Sequence, residues 1–100
     1  MIKHIVLWRL KDAAEGRSKI ENANLIKSKL EALFGIIPGL LRIEVGLDVS
    51  HTESSSDLAL YSEFDLLAAL ETYQNHPAHK AVMPLVLEAR SERRVADYEV

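Results

Sequence analysis

The segment from residue 2 to residue 10, IKHIVLWRL, determines the fold because apolar residues occupy both of its faces. β-Branched and aromatic residues are common here, and they favour a β-strand. Strand periodicity places Ile2, His4, Val6, Trp8 and Leu10 on one face. The other face carries Lys3, Ile5, Leu7 and Arg9. A strand with apolar residues on both sides is typical of a central position in a covered sheet.

The segments that follow alternate between the hydrophobic period of a helix and that of a strand. Helical spacing over residues 17–34 predicts an amphipathic helix whose inner face holds Ile20, Ala23, Ile26 or Lys27, Leu30, Leu33 and Phe34. Residues 40–49 alternate again and predict a half-exposed strand with Leu41, Ile43, Val45 and Leu47 inward. After a polar connector over residues 50–56, which includes a solvated His51, residues 57–64 predict a third strand.

The last third of the chain predicts two helical pieces and a strand. Asp65 stands where the N-cap of a short helix is expected, and Pro77 fits the first position of a second helix. Residues 95–100 predict the fourth strand. With right-handed crossovers, the order β-α-β-β-α-β predicts one domain over residues 1–100, an α+β ferredoxin-like fold. Its antiparallel sheet has the order 4-1-3-2, with both helices on one face.

The sheet face that no helix covers predicts that the chain pairs with another protein molecule. Apolar residues on that face would exceed what a monomer usually exposes, so pairing with a second copy is the simplest way to cover them. We therefore predict a homodimer in the form of a dimeric α+β barrel.

Composition excludes several classes of function. The formal net charge is −3, and Arg90, Arg93 and Arg94 are interrupted by Glu92, so we predict a solvated strand edge and no nucleic-acid partner. The apolar run at the amino terminus is too short for a signal peptide or a membrane span, which predicts a cytoplasmic protein with no membrane partner. The chain has no cysteine, which excludes disulfides and thiolate chemistry.

The segment YQNHPAH, residues 73–79, is the best candidate for chemistry. His79 falls in the first turn of the helix opened by Pro77, where the helix dipole disfavours imidazolium and leaves a neutral ring that can accept a proton. His76 precedes proline, avoids helical geometry and is expected to cap the helix. The two histidines therefore suit a metal poorly, and we predict no metal. Without a phosphate-binding glycine loop or a flavin motif, we also predict no cofactor.

His4 and Asp97 form a second constellation. In the predicted sheet the first and last strands are antiparallel neighbours, so the start of one lies beside the end of the other. A carboxylate that accepts from an imidazole nitrogen would fix the tautomer of the histidine.

The chain resembles the stress-responsive A/B barrel (Dabb) family over nearly its whole length. The resemblance rests on IKHIVL at 2–7, IPG at 37–39, IEVG at 43–46, EF at 63–64, YQNHPAH at 73–79 and DY at 97–98. It implies a dimeric α+β barrel. By similarity to plant polyketide cyclases of the family, His79 is the candidate general base, Tyr73 polarises the substrate carbonyl and His4 lines the pocket.

Trp8, Leu58 and Asp97 complete the candidate ligand contacts. Leu58 stands where those cyclases have a further pocket histidine, a departure that bears on polyketide specificity. Some relatives hold magnesium on loop carbonyls that correspond to Phe34, Ile37 and Leu40.

We predict that the protein binds a small, partly apolar molecule between sheet and helices. One alternative is a cofactor-free acid/base enzyme, polyketide cyclase-like or monooxygenase-like, and another is a non-catalytic stress-protection protein. Structural roles also stay open: Tyr73 as a core ring, His4 as a satisfied buried histidine and Trp8 as core or dimer packing.

Overall fold

The computed structural model describes all residues from Met1 to Val100, and its elements follow the predicted order with one addition. The strands are β1 (Ile2–Leu10), β2 (Ala13–Ala14), β3 (Arg17–Ser18), β4 (Leu40–Leu47), β5 (Leu58–Phe64) and β6 (Arg90–Glu99). The helices are α1 (Lys19–Glu31), α2 (Leu67–Asn75) and α3 (Pro77–Ala89). The short hairpin of β2 and β3 was not predicted.

Four strands form one antiparallel sheet in the order β4-β5-β1-β6. This is the predicted 4-1-3-2 arrangement, so the ferredoxin-like α+β fold is confirmed. β1 is central, as its two apolar faces indicated. Its residues Ile2, His4, Val6, Trp8 and Leu10 are all buried on the face that the helices cover.

The first helix is shorter than its hydrophobic pattern predicts. Ser18 caps it, because the Ser18 hydroxyl accepts from the Glu21 amide while the Glu21 carboxylate accepts from the Ser18 amide. Ile20 therefore lies in the exposed first turn, and Phe34 lies in the turns beyond the helix; both are 58% exposed. Their predicted place in the core was wrong, whereas Ala23, Ile26, Leu30 and Leu33 are buried.

An irregularity in β4 changes the predicted inward face. The register with β5 shifts between Leu40 and Arg42, so one extra residue, Leu41, stands opposite no partner. Leu41 is 47% exposed as a result, and Leu40 is buried in its place. Alternation predicts a regular strand, so it assigned Leu41 to the wrong face.

The junction between α2 and α3 determines how the site is presented. His76 ends α2 and caps α3: its Nδ1 atom accepts from the Ala78 amide at 3.0 Å. The predicted capping role of His76 is therefore confirmed. Asp65 is not the N-cap of α2, since Leu66 occupies that position and the Asp65 carboxylate accepts only from the Leu66 amide.

The carboxyl-terminal strand begins earlier than predicted. Arg90 adopts extended geometry directly after α3, so β6 starts there and pairs with β1 along its whole length. None of the three helices is long and apolar enough to cross a membrane.

Candidate binding cavity

A cavity of about 70 Å³ lies between the covered sheet face and helix α3. β1, β5, β6, α1, α2 and α3 all contribute to it. Its lining residues are His4, Val6, Trp8, Leu30, Leu60, Tyr73, Gln74, His79, Met83, Val86, Leu87, Arg90 and Arg93. Four of the six predicted site residues, Tyr73, His79, His4 and Trp8, therefore lie around one space.

Three residues that line this cavity each carry a buried polar atom with no partner within the chain. These atoms are Nε1 of Trp8, the hydroxyl oxygen of Tyr73 and Nδ1 of His79. No other buried side-chain nitrogen or oxygen of the protein is unpartnered. A buried polar atom without a hydrogen bond costs about 1–3 kcal/mol. Three such residues around one cavity make it the strongest candidate for a binding site in this chain.

Tyr73 and His79 are neighbours across the junction of the two helices. Their ring centroids are 4.5 Å apart, and the Tyr73 ring also contacts Phe64 at 5.2 Å between centroids. Tyr73 is fully buried, and this burial raises its pKa, so its hydroxyl stays protonated and is available as a donor. The predicted structural role of the Tyr73 ring in the core and its candidate role in the cavity are thus compatible.

His79 is partly buried, and its surroundings favour the neutral ring. Burial lowers its pKa first, while the nearby Gln74 carbonyl opposes the shift. His4 and Arg93 lower the pKa further by charge repulsion. His79 is therefore mainly neutral near pH 7 and can accept a proton.

His4 is held in place from the outside of the cavity. Its Nδ1 atom is hydrogen-bonded to an Asp97 carboxylate oxygen, across the predicted pairing of β1 and β6. Only 3% of His4 is exposed, and its ring lies edge-on to Tyr73 at 6.3 Å between centroids. With Asp97 accepting at Nδ1, the proton of a neutral His4 lies on Nδ1 and Nε2 is left as an acceptor.

The remaining two predicted contacts lie away from the cavity lining. Asp97 reaches the site only through His4. Leu58 is a core residue, 1% exposed, and pairs with Trp8 across β1 and β5. Leu60, two residues along the same strand, lines the cavity instead.

Sequence reasoning missed two basic residues of the cavity, Arg90 and Arg93. Arg93 pairs with Trp8 and Arg90 pairs with Leu10, so both belong to the covered face of the sheet. Pairing of these arginines with β1 would have placed them at the cavity. The predicted fourth strand began only at residue 95, so this pairing was not predicted. Leu30, Met83 and Val86 supply part of the apolar lining, and the sequence analysis did not assign them to the site.

A larger and more open depression of about 440 Å³ lies between the start of α1 and the end of β4. Its Lys19 ammonium is shared between Asp12 at 3.6 Å and Asp57 at 3.7 Å, and its Asp48 carboxylate accepts from the His51 amide. Because these charges already have partners, this depression is a weaker candidate than the cavity around Tyr73.

The chain offers little to a metal ion. No group of three or more histidine and acidic side chains is arranged to hold one. The loop after α1, which bears the carbonyls of Phe34 and Ile37, contains no carboxylate between residues 32 and 39. Magnesium sites in proteins usually use at least one carboxylate, so a cation at this loop would rest on its backbone carbonyls alone.

Fold and cavity together define a small ferredoxin-like α+β protein with a partly polar cavity between sheet and helices. The sequence profile of the stress responsive A/B barrel domain matches residues 2–100. The chain belongs to this family. An uncharacterized protein of Streptomyces coelicolor is 34% identical over 99 residues, which are 99% of each chain.

Solved structures agree with the fold. A dimeric ferredoxin-like protein of unknown function from Bacteroides fragilis is 38% identical, with a TM-score of 0.88 over 99% of this chain and 95% of that chain. A hydroxynitrile lyase from Passiflora edulis has a TM-score of 0.81 over 99% of this chain and 92% of that chain. Its identity is 19%, so this likeness concerns the fold.

Proposed function

We propose that the protein binds a small, partly apolar molecule in the cavity around Tyr73 and His79. The observation that carries the proposal is the coincidence of all three unpartnered buried polar atoms with the lining of one cavity. Eight of the thirteen lining residues are hydrophobic, so a ligand would bury apolar surface while it pairs with those atoms.

The test uses weak-binding probes and matched variants. Butanone, acetophenone and phenol are titrated into the protein, and binding is followed by amide chemical shifts. We expect His79→Ala and Tyr73→Phe to weaken binding by roughly three- to tenfold, as loss of one hydrogen bond predicts. His51→Ala is the control, since His51 is an exposed loop histidine. Equal binding by all variants would exclude this cavity and leave the non-catalytic stress-protection role.

A second candidate function is cofactor-free acid/base catalysis at the same site. A neutral His79 beside a protonated Tyr73, with ring centroids 4.5 Å apart, supports it. His79 would remove a proton from the carbon next to a carbonyl, and the Tyr73 hydroxyl would donate a hydrogen bond to the enolate oxygen. The proton then returns to the same carbon or is exchanged with water. The Passiflora edulis lyase shows that this fold carries an enzyme in another chain.

Exchange of the butanone α-protons for deuterium, followed by proton NMR in D₂O, tests the enzyme. We expect an exchange rate that falls as acid protonates His79, with its inflection below the ordinary histidine value of about 6.5. His79→Ala should remove this inflection. A rate without any inflection between roughly pH 5 and 8 would argue against a histidine base.

We also propose that the chain forms a homodimer through the open sheet face. Apolar residues of β1, β5 and β6 meet on that face, among them Leu7 and Tyr98, which are 39% and 44% exposed. The Bacteroides fragilis relative is described as dimeric, which supports the proposal. Covering this face would complete the barrel of two sheets.

A further inference from the structure

The three arginines of β6 lie on opposite faces of the sheet. Arg94 pairs with Leu7 of β1 and belongs to the open face, whereas Arg93 pairs with Trp8 and belongs to the covered face. The register shifts between Arg9 and Leu10, where β6 carries one extra residue at Ser91. This bulge places Arg90 on the same face as Arg93 although the two are three residues apart.

The two faces differ in how these charges are neutralised. Arg94 donates to Glu92 at 3.0 Å, and Arg9 lies 3.1 Å from the same carboxylate. The side chains of Arg90 and Arg93 form no hydrogen bond or ion pair with the chain, whereas the Arg90 backbone amide donates to the Val86 carbonyl. Two guanidinium groups at one cavity therefore lack an anion.

The cavity itself contains no acidic side chain to supply that anion. Its thirteen lining residues include two arginines and two histidines but no aspartate or glutamate. Asp97 lies outside the lining and is engaged by His4. The indole nitrogen of Trp8 is only a donor, and the Tyr73 hydroxyl remains protonated. The lining thus supplies two donors, on Trp8 and Tyr73, and positive charge beside the two imidazoles and an apolar wall.

We propose that the ligand is a small oxo acid, a molecule with one carboxylate and one carbonyl. The inference rests on the binding function proposed above. The carboxylate lies against Arg90 and Arg93, where a guanidinium can bind it with two hydrogen bonds. The carbonyl points to Tyr73 and His79. A volume of about 70 Å³ admits only a few non-hydrogen atoms beyond the mouth of the cavity.

The experiment compares an acid with its uncharged amide. 2-Oxobutanoate, 2-oxobutanamide and inorganic phosphate are titrated into the wild type, Arg90→Gln, Arg93→Gln and Arg94→Gln. We expect the acid to bind about tenfold more tightly than the amide in the wild type. Arg93→Gln and Arg90→Gln should each reduce this preference. Arg94→Gln is the matched control, one residue away on the opposite face, and should retain it.

Ionic strength gives an independent measurement. Binding of the acid should weaken as sodium chloride is raised, because the guanidinium groups are accessible to solvent, whereas binding of the amide should stay constant. Equal affinities for acid and amide, an equal loss in Arg94→Gln, or tighter binding of phosphate than of the acid would each overturn the oxo-acid proposal.

His79→Ala separates failure of this proposal from failure of the binding function. If acid and amide bind equally but both lose affinity in His79→Ala, the cavity binds a ligand and only the carboxylate preference is wrong. If His79→Ala binds the acid and the amide as the wild type does, the cavity assignment itself is wrong.

Discussion

The two faces of the sheet differ in which groups are left without partners. On the covered face the apolar side chains are packed, and the unpartnered groups are polar: Trp8, Tyr73 and His79. On the open face most charges are paired, as in Arg9 with Glu92, and the exposed groups are apolar. The covered face therefore fits the proposed small, partly apolar ligand, and the open face fits the proposed second copy of the chain.

The largest effect should come from the packed core of the covered face. Phe64 is fully buried beside Tyr73, so Phe64→Ala should lower the free energy of unfolding by about 3–5 kcal/mol. Tyr98→Ala on the open face should cost about 1 kcal/mol, since Tyr98 is 44% exposed. Urea denaturation at one fixed protein concentration measures both. Similar losses would mean that the two faces are packed to a similar degree.

The next effect concerns the open face and its proposed partner. Leu7→Glu places a charge in the middle of this face and, in a twofold dimer, brings two such charges together. We expect the dissociation constant of the dimer to rise about 100-fold, which corresponds to about 3 kcal/mol. Sedimentation velocity measures it, with Leu67→Glu on the exposed side of α2 as the control. A wild type that sediments as a monomer at micromolar concentration would contradict the dimer.

A smaller effect, of opposite sign, should appear in the cavity. Tyr73→Phe removes a buried hydroxyl that has no partner and keeps the ring that packs on Phe64. The ligand-free protein should therefore gain up to about 1 kcal/mol of stability while it binds the carbonyl probes less well. Thermal unfolding with and without butanone measures both changes. A loss of stability in the ligand-free variant would show that the hydroxyl is satisfied.

The sequence predicts the fold well because periodicity reports which side of an element is covered. The two apolar faces of residues 2–10 indicated a central strand, and β1 is central. The errors occur where a local irregularity interrupts the period. The bulge at Leu41 and the cap at Ser18 cannot be inferred from alternation, and they moved Leu41 and Ile20 to the surface.

The site is less predictable because it depends on distant segments. Local chemistry around Pro77 separated the capping His76 from His79, and the strand order brought His4 to Asp97. The cavity volume and its unpartnered atoms depend on side-chain packing between six elements, which one sequence does not specify. Arg93 was missed for this reason: its face depends on the register of β6 against β1.

The smallest expected effect is on the pH dependence of the free energy of unfolding. It compares His79 in the cavity with His51 in an exposed loop. Burial lowers the pKa of His79 in the folded protein, so between the folded and the unfolded pKa the unfolded chain binds more protons. Stability therefore falls as the pH drops below the unfolded value of about 6.5, and the loss levels off below the lowered pKa. Subtracting the urea stability curve of His79→Gln from that of the wild type isolates this contribution. His51→Gln is the comparison variant, at a loop histidine whose side chain is 79% exposed and lies 3.7 Å from the Asp48 carboxylate. If the His79→Gln curve runs parallel to the wild type from pH 7 to pH 5, His79 is not held neutral by its burial, and the case for it as a proton acceptor in the cavity is lost.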